Sequence, residues 1–315
     1  MTQRKIGVLV MSYGTPESME GIEAYYTHIR RGHPPTSEQL EELSSRYEAI
    51  VGGVFPLREN TNKQVEALQR TLDERARDTD TAYVCYQGLK HAAPFIEDGI
   101  QAMAHDGIKE AIGIVLAPHY SVMSVGGYLK RAEEEANKHD IAFSGINSYH
   151  LHPALIEALS VRVREQLDAF VGEGAPREEV RVLFSAHSLP TRILEMNDPY
   201  PEQLLDTSRA IVKECALHDA QWQFTWQSAG QTGTPWLGPD ILDTLEKLQE
   251  EGTRYALSVP IGFVSDHLEV LYDLDIEASG KAQELGISYK RTRSLNQDPL
   301  YMKALADSIV GAVKD

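Results

Sequence analysis

Short apolar runs rich in Val, Ile and Leu alternate along the chain with longer stretches in which apolar positions recur every three to four residues. The first pattern is that of strands buried on both faces, the second that of helices with one apolar side. Their alternation is the βαβ rhythm of a parallel sheet covered by helices. The pattern predicts strands near 5–11, 81–87, 111–117, 142–146, 180–185, 222–227 and 254–260. It predicts helices near 17–28, 36–48, 61–76, 95–105, 125–138, 153–170, 201–216, 239–251, 266–279 and 298–313. The fold class is α/β.

The pattern also repeats. Ile6-Gly-Val-Leu-Val-Met-Ser-Tyr-Gly-Thr-Pro16 aligns without gaps on Val180-Arg-Val-Leu-Phe-Ser-Ala-His-Ser-Leu-Pro190, which sets Tyr13 at the position equivalent to His187. Tyr86-Gln87-Gly88 echoes Trp226-Gln227-Ser228, and Pro118 echoes Pro260. The offsets of 174, 140 and 142 place an extra segment of about 34 residues in the first half, within residues 20–60. Two similar doubly wound domains follow, over 1–152 and 153–315, with the inserted segment as a lip and the last helix packing back on the first domain. Open parallel sheets bind ligands at the carboxyl ends of their strands, so a ligand cleft is expected there. The plainer alternative is that any two strand–loop–helix units look alike.

Composition narrows the classes. The 315 residues carry 30 Lys plus Arg against 47 Asp plus Glu, a net charge of −17, which argues against nucleic acid or an anionic membrane as partner. Cys85 and Cys215 form no CxxC pair and no disulfide framework, as suits a reducing cytoplasm. No apolar run reaches the length of a membrane span, and the residues after Ile6–Met11 do not form a signal-peptidase site. The sequence holds no GxGxxG, Walker A loop, GxSxG elbow or HExxH.

Chemistry therefore has to come from less common groups. His187, in Ser185-Ala-His-Ser-Leu-Pro190, follows a buried strand, where a neutral imidazole binds a metal, accepts a proton or simply caps a neighbouring element. In Phe263-Val-Ser-Asp-His-Leu-Glu-Val-Leu-Tyr-Asp-Leu-Asp-Ile-Glu277, a regular α-helix would set Asp266, Glu269, Asp273 and Glu277 within an arc of roughly 80°. Carboxylates so placed repel by about 0.2–0.5 kcal/mol per pair, which calls for a cation along the stripe. The alternatives are a capping box at Ser265 or Asp266 and a solvated face. Oxygen ligands with one imidazole suit a borderline divalent ion such as ferrous iron. Tyr25-Tyr-Thr-His-Ile-Arg-Arg31-Gly-His33, with Arg46 and Tyr47, interleaves rings and guanidinium groups as a flat, carboxylate-edged ligand requires, or forms an amphipathic helix with Tyr in the core. Leu89-Lys90-His91 and Ala117-Pro-His119-Tyr add further strand-end histidines.

Tyr13-Gly-Thr-Pro16, Tyr25-Tyr-Thr-His-Ile-Arg-Arg31-Gly, Arg46-Tyr-Glu-Ala-Ile50, Gly88-Leu-Lys-His91, Leu116-Ala-Pro-His119, Ser185-Ala-His-Ser-Leu-Pro190, Asp198-Pro-Tyr200, Trp236-Leu-Gly-Pro-Asp240 and Asp266-His-Leu-Glu-Val-Leu-Tyr-Asp273 occur in this order over nearly the whole chain. Together they resemble the ferrochelatase family, in its short soluble bacterial form that acts on coproporphyrin III. The resemblance implies two chelatase-like domains, each with a four-stranded parallel sheet. It also implies insertion of Fe²⁺ into coproporphyrin III in haem synthesis, a lyase-class reaction. It makes His187 and Glu269 the iron-binding and proton-accepting pair, and Tyr13 the axial ligand of the product iron. Arg30, Arg46, Tyr47 and Tyr128 match family positions that hold the tetrapyrrole, and Arg31, Phe55, Lys90 and His91 are assigned to the same surface. Asp273 and Glu277 continue outward as a metal route, and such a carboxylate pair near Arg46 would also hold an accessory hydrated Mg²⁺.

The chain departs from its relatives in Gly52-Gly-Val-Phe55-Pro-Leu57, where Ser is usual at Phe55 and Val51 is extra, and in Gln227-Ser-Ala229-Gly, where Glu is usual at Ala229. Without a cysteine-bearing extension, the iron–sulfur cluster of some relatives is expected to be missing. The expected protein is a cytoplasmic monomer with no tightly bound cofactor and no nucleic-acid partner, in transient contact with later haem-pathway enzymes. Alternatives are a cobalt or nickel tetrapyrrole chelatase of the same fold, a non-catalytic porphyrin or haem carrier, and an extracytoplasmic binding protein, which would need a leader or lipid anchor.

Overall fold

The computed structural model describes residues 3–51, 55–230 and 233–313, and divides them into two compact units. The first unit runs to Tyr149 and takes up the chain again from Asn296; the second spans His150–Leu295.

In the first unit, β1 (Arg4–Ser12) leads through α1 (Ile22–Ile29), α2 (Ser37–Val51) and α3 (Pro56–Ala76) to β2 (Thr81–Leu89). Then come α4 (Ile96–His105), β3 (Glu110–Val115), α5 (Val125–Lys138) and β4 (Ala142–Gly145). The strands are all parallel and ordered β2-β1-β3-β4. Residues Ile6–Ser12 of β1 are buried throughout, which is why the run is apolar without alternation. Leu9 and Met11 pack into a cluster with Ile96, Ile100, Met103 and Val125 from the covering helices. Each such side chain removed from water contributes about 1.5–3 kcal/mol.

In the second unit, α6 (Pro153–Gly172), β5 (Val180–His187), α7 (Tyr200–Glu214), β6 (Trp222–Gln227), α8 (Ile241–Glu250) and β7 (Tyr255–Val259) precede α9 (Leu268–Leu271). A π-helical turn over Asp273–Ala278, α10 (Ser279–Glu284) and β8 (Ser288–Arg291) complete it. The order β6-β5-β7-β8 is that of the first unit, strand for strand. Between the first two strands the second unit has α7 alone, whereas the first has three helices. The extra residues of the first half are thus α1 and α2.

α11 (Pro299–Ala312) belongs to the first unit. Asp298 caps its start by accepting from the Leu300 N–H at 2.8 Å, Arg75 of α3 pairs with Asp307 at 2.6 Å, and the buried Tyr149 and Tyr301 hydroxyls meet at 3.0 Å. Among the described residues no helix is long and apolar enough to cross a membrane.

Three sequence expectations are corrected. The helix expected near 17–28 begins only at Ile22, after a 3₁₀ turn over Met19–Gly21. The helix expected near 61–76 begins at Pro56, because proline is preorganised for a first helical turn. The edge strand β8 was not expected at all: its four residues are polar and none is fully buried.

Close packing of helix on strand yields a direct test. A Cβ on Gly99 of α4 would lie 2.6 Å from Leu9 Cδ1 and 2.7 Å from the Gln87 carbonyl oxygen. Gly99→Ala is expected to cost about 1–3 kcal/mol. Urea unfolding should show a lowered midpoint at unchanged slope, and an unshifted midpoint would mean the helix yields freely.

Candidate functional site

His187 is the last residue of β5, and the ladder pairs it with Gln227, the last of β6. With both faces of the sheet buried, the strand end is where a polar side chain escapes the core, and about a third of the His187 side chain reaches solvent. Its Nδ1 contacts the Ser188 carbonyl oxygen, which leaves Nε2 directed at Glu269 Oε1, 3.4 Å away. The other carboxylate oxygen of Glu269 lies 3.5 Å from Nε2 of His267, whose Nδ1 contacts the Ser265 carbonyl oxygen at 2.9 Å. Rings of Trp236 and Phe263 flank His187, with centroids 6.2 and 6.5 Å away.

These contacts set the protonation of the pair. Burial, the largest single influence, lowers the pKa of His187. The Glu269 carboxylate, the Ser188 carbonyl and the charge of Asp273 outweigh it and bring the value up to about 9. Burial pushes Glu269 upward, but His187 and His267 more than offset this and hold its carboxyl well below the usual range. Near neutral pH the pair is an imidazolium facing a carboxylate.

The acidic segment is not the single α-helix its spacing suggests. Asp266 precedes α9 and is drawn off the stripe: it accepts from Ser294 Oγ at 2.7 Å and pairs with Arg291 at 3.4 Å. Arg291 also forks Asp275 at 2.6 and 2.7 Å, so one cation neutralises two of the acids. Neither Ser265 nor Asp266 caps the helix; the cap position is His267, with no side-chain cap bond. After one turn the ladder widens, and the Glu277 N–H donates to the Tyr272 carbonyl five residues back. Val270, Leu274 and Ala278 fill the core of the unit. Asp273 is buried and accepts from Ser228 Oγ, whereas Glu277 is exposed. Ser228 has φ +61, a left-handed backbone that costs a serine roughly 1–3 kcal/mol.

In the first unit, β1 and β2 end side by side, and Tyr13, Lys90 and His91 follow them. Gly14, at φ +84, turns the chain after Tyr13, and the buried Tyr25 donates to its carbonyl at 3.1 Å. The Lys90 and His91 N–H groups donate to the carbonyls of Ser12 and Tyr13, both at 3.0 Å. Tyr13 is 41% exposed and its ring lies 4.6 Å from that of His91. Nδ1 of His91 meets Nδ1 of His28 at 3.0 Å, and His28 stacks on Phe95. Burial, with Lys90, His28 and Arg131 nearby, lowers the His91 pKa to about 3. The Lys90 ammonium sits 4.9 Å from the ring centre of the buried Tyr128; burial, then Arg131 and Arg31, lowers its pKa.

The rest of the expected surface lies on α1, α2 and the segment after it. Arg30 bonds the His33 carbonyl at 3.2 Å and covers the Tyr26 ring; Arg31 is exposed at φ +57. Arg46 is half-buried. Tyr47 and Phe55 are buried with rings 4.9 Å apart, and the Tyr47 hydroxyl meets Thr15 Oγ1 at 3.1 Å. Gly52, Gly53 and Val54, part of the departure noted above, lie outside the described residues. The structure thus joins His187 with Glu269 in the second unit, and Tyr13 with Lys90, His91 and Tyr128 in the first. Sequence reasoning passed over the contacts of His267, Gln227, Ser228 and His28. For His267 the signal was present, two residues before Glu269.

Two four-stranded parallel sheets of one order, with an imidazole against a carboxylate at a strand end, define a chelatase-like protein. Solved structures bear out the fold: SirB from Bacillus subtilis with Fe³⁺ superposes at TM-score 0.60 and 11% identity, covering 98% of this chain and 94% of that one. CbiX, the terminal enzyme for biosynthesis of siroheme in denitrifying bacteria, superposes at 0.54 and 11% identity, over 99% and 100%. The family profile described as ferrochelatase matches residues 5–312, and the chain belongs to the ferrochelatase family. A ferrochelatase of Herpetosiphon aurantiacus is 46% identical, covering 98% of this chain and 99% of its own. The coproporphyrin III ferrochelatase of a Geobacillus species is 43% identical over the full length of both.

Against burial, Glu269 contributes most to raising the His187 pKa, with the Ser188 carbonyl and Asp273 adding to it. In Glu269→Gln, the His187 ring resonances should titrate well below 9. A midpoint still near 9 in an NMR titration would assign the shift to another group.

Proposed function

We propose that the protein inserts Fe²⁺ into coproporphyrin III, releasing the two pyrrole protons and giving Fe-coproporphyrin III for haem synthesis. The observation that carries this reading is the strand-end contact of His187 Nε2 with Glu269 Oε1 at 3.4 Å, in a chain of the ferrochelatase family. Its relatives from Geobacillus and Oceanobacillus iheyensis, 43% and 44% identical over essentially full length, are named coproporphyrin III ferrochelatases. The enzyme is a metal chelatase of the lyase class.

Metallation needs water stripped from the ion, a place for it above the ring, and acceptors for two protons. His187 and Glu269 take the last two roles: an imidazole nitrogen and a carboxylate oxygen suit ferrous iron and hold it loosely enough to release. The proton that rests on His187 must pass to solvent before Nε2 can hold the ion; as the ion moves on to the pyrrole nitrogens, the imidazole nitrogen and carboxylate oxygen it vacates accept the two pyrrole protons. Tyr13, with its exposed phenol, is the axial ligand of the product iron. Arg30, Arg31 and Arg46 fork the propionate carboxylates, as guanidinium groups do best. Lys90, His91 and Tyr128 hold the macrocycle, while the buried Tyr47 and Phe55 rings pack on each other beneath the same surface.

Asp273 and Glu277 form the outer metal route. Of the two, Glu277 is exposed and would meet a hydrated Mg²⁺, while Asp273 is buried against Ser228; such an ion would add positive charge and no chemistry. Two cysteines are too few for a four-thiolate cluster, which supports an enzyme without iron–sulfur. In this reading the enzyme works as a cytoplasmic monomer and passes its product to a later haem-pathway enzyme.

Anaerobic coproporphyrin III with Fe²⁺ is expected to convert to the metalloporphyrin, followed by its Soret and visible bands. His187→Ala and Glu269→Ala should each lower the rate by about 10²-fold or more. Faster metallation by Co²⁺ than by Fe²⁺ would replace the metal in this assignment. A wild-type protein that binds the porphyrin and metallates it with neither ion is a carrier.

A further inference from the structure

Glu269 is a third exposed, and its contacts with His187 and His267, at 3.4 and 3.5 Å, are longer than well-formed hydrogen bonds. They are too loose to set the position of the carboxylate. Something else must fix the turn on which Glu269 stands relative to the strand on which His187 stands.

Gln227 has the geometry to do so. It ends β6 directly opposite His187 in the ladder and is fully buried. Its side-chain amide is used at both ends: Oε1 accepts from Ser185 Oγ at 2.8 Å, and Nε2 donates to the Glu269 carbonyl oxygen at 2.9 Å. Its own carbonyl accepts from the Ser188 N–H at 2.8 Å, so β5 is gripped on both sides of His187. The next residue, Ser228, donates to Asp273 from a left-handed backbone. Gln227 and the residue after it therefore hold two acids of the acidic segment, Glu269 through its backbone carbonyl and Asp273 through its carboxylate. Only an amide of this length provides an acceptor for Ser185 and a donor for Glu269 without adding a charge.

We propose that Gln227 is a positioning residue that sets the separation of the His187 imidazole and the Glu269 carboxylate by tying the strand of one to the turn of the other. Its effect on turnover rests on the iron-insertion reading above; its effect on geometry does not. Gln227→Met keeps the approximate volume and removes both side-chain hydrogen bonds.

The test combines steady-state iron insertion with the ¹⁵N resonance of His187 Nε2, recorded without substrate in wild type, Gln227→Met, Glu269→Gln and the double variant. Gln227→Met should shift the resonance and lower kcat about 10- to 100-fold, the effect of a misplaced reacting group, with KM for the porphyrin within about twofold. In the Glu269→Gln background it should shift the resonance no further, because the residue acts through Glu269. An unmoved resonance with unchanged kcat, or an equal displacement in both backgrounds, would overturn the assignment. If Gln227→Met does not fold, Ser185→Ala removes one anchor and should move both readouts in the same direction by less; no movement there overturns the proposal. A wild type that inserts no iron sinks the iron-insertion reading alone, and the resonance comparison still decides the role of Gln227.

Discussion

A parallel sheet covered on both faces uses all of its interior backbone donors and acceptors in its own ladders, and tolerates almost nothing polar between its helices. This constraint shapes each unit of the protein. β1 is buried from Ile6 to Ser12 and β5 is buried apart from Arg181 and His187, so reactive groups are confined to the residues where the strands stop. Tyr13, Lys90 and His91 follow the ends of β1 and β2, and His187 and Gln227 are the ends of β5 and β6. Because the ladder register is set by the core, so is the placement of these groups. A one-residue slip would exchange the faces of a whole strand.

The acidic segment shows how charge is managed under the same constraint. Carboxylates along one regular helix would repel one another, yet in the protein they are spread over different environments. Asp266 and Asp275 share Arg291, Glu269 lies between two imidazoles, Asp273 takes a hydroxyl, and Glu277 is left to water. The widened turn after α9 makes this distribution compatible with burying Val270, Leu274 and Ala278.

Most of the fold could be read from apolar runs, because a strand buried on both faces cannot hide its composition. The equivalence of Tyr13 and His187 was legible for the same reason: each follows an aligned apolar run and stands three residues before a proline, Pro16 or Pro190. β8 escaped because an edge strand of Ser288, Tyr289, Lys290 and Arg291 has no apolar run to show. The bend of the acidic segment escaped because a spacing argument assumes 3.6 residues per turn, and the i to i+5 bond at Glu277 violates it. Gln227 and Ser228 were visible only as part of a motif. Their partners are fixed by cross-strand register and by a left-handed φ, neither of which a linear pattern encodes.

The contact between His28 and His91 carries one further consequence. Two like nitrogens 3.0 Å apart can share only one hydrogen, so two neutral rings here hold opposite tautomers. One ring then offers an N–H at its far nitrogen and the other a lone pair, and reversing the pair requires a hydrogen to move on each ring, not the shared one alone. His91 stays neutral over the physiological range, so with a neutral His28 this corner of the first unit presents one donor and one acceptor at its far nitrogens.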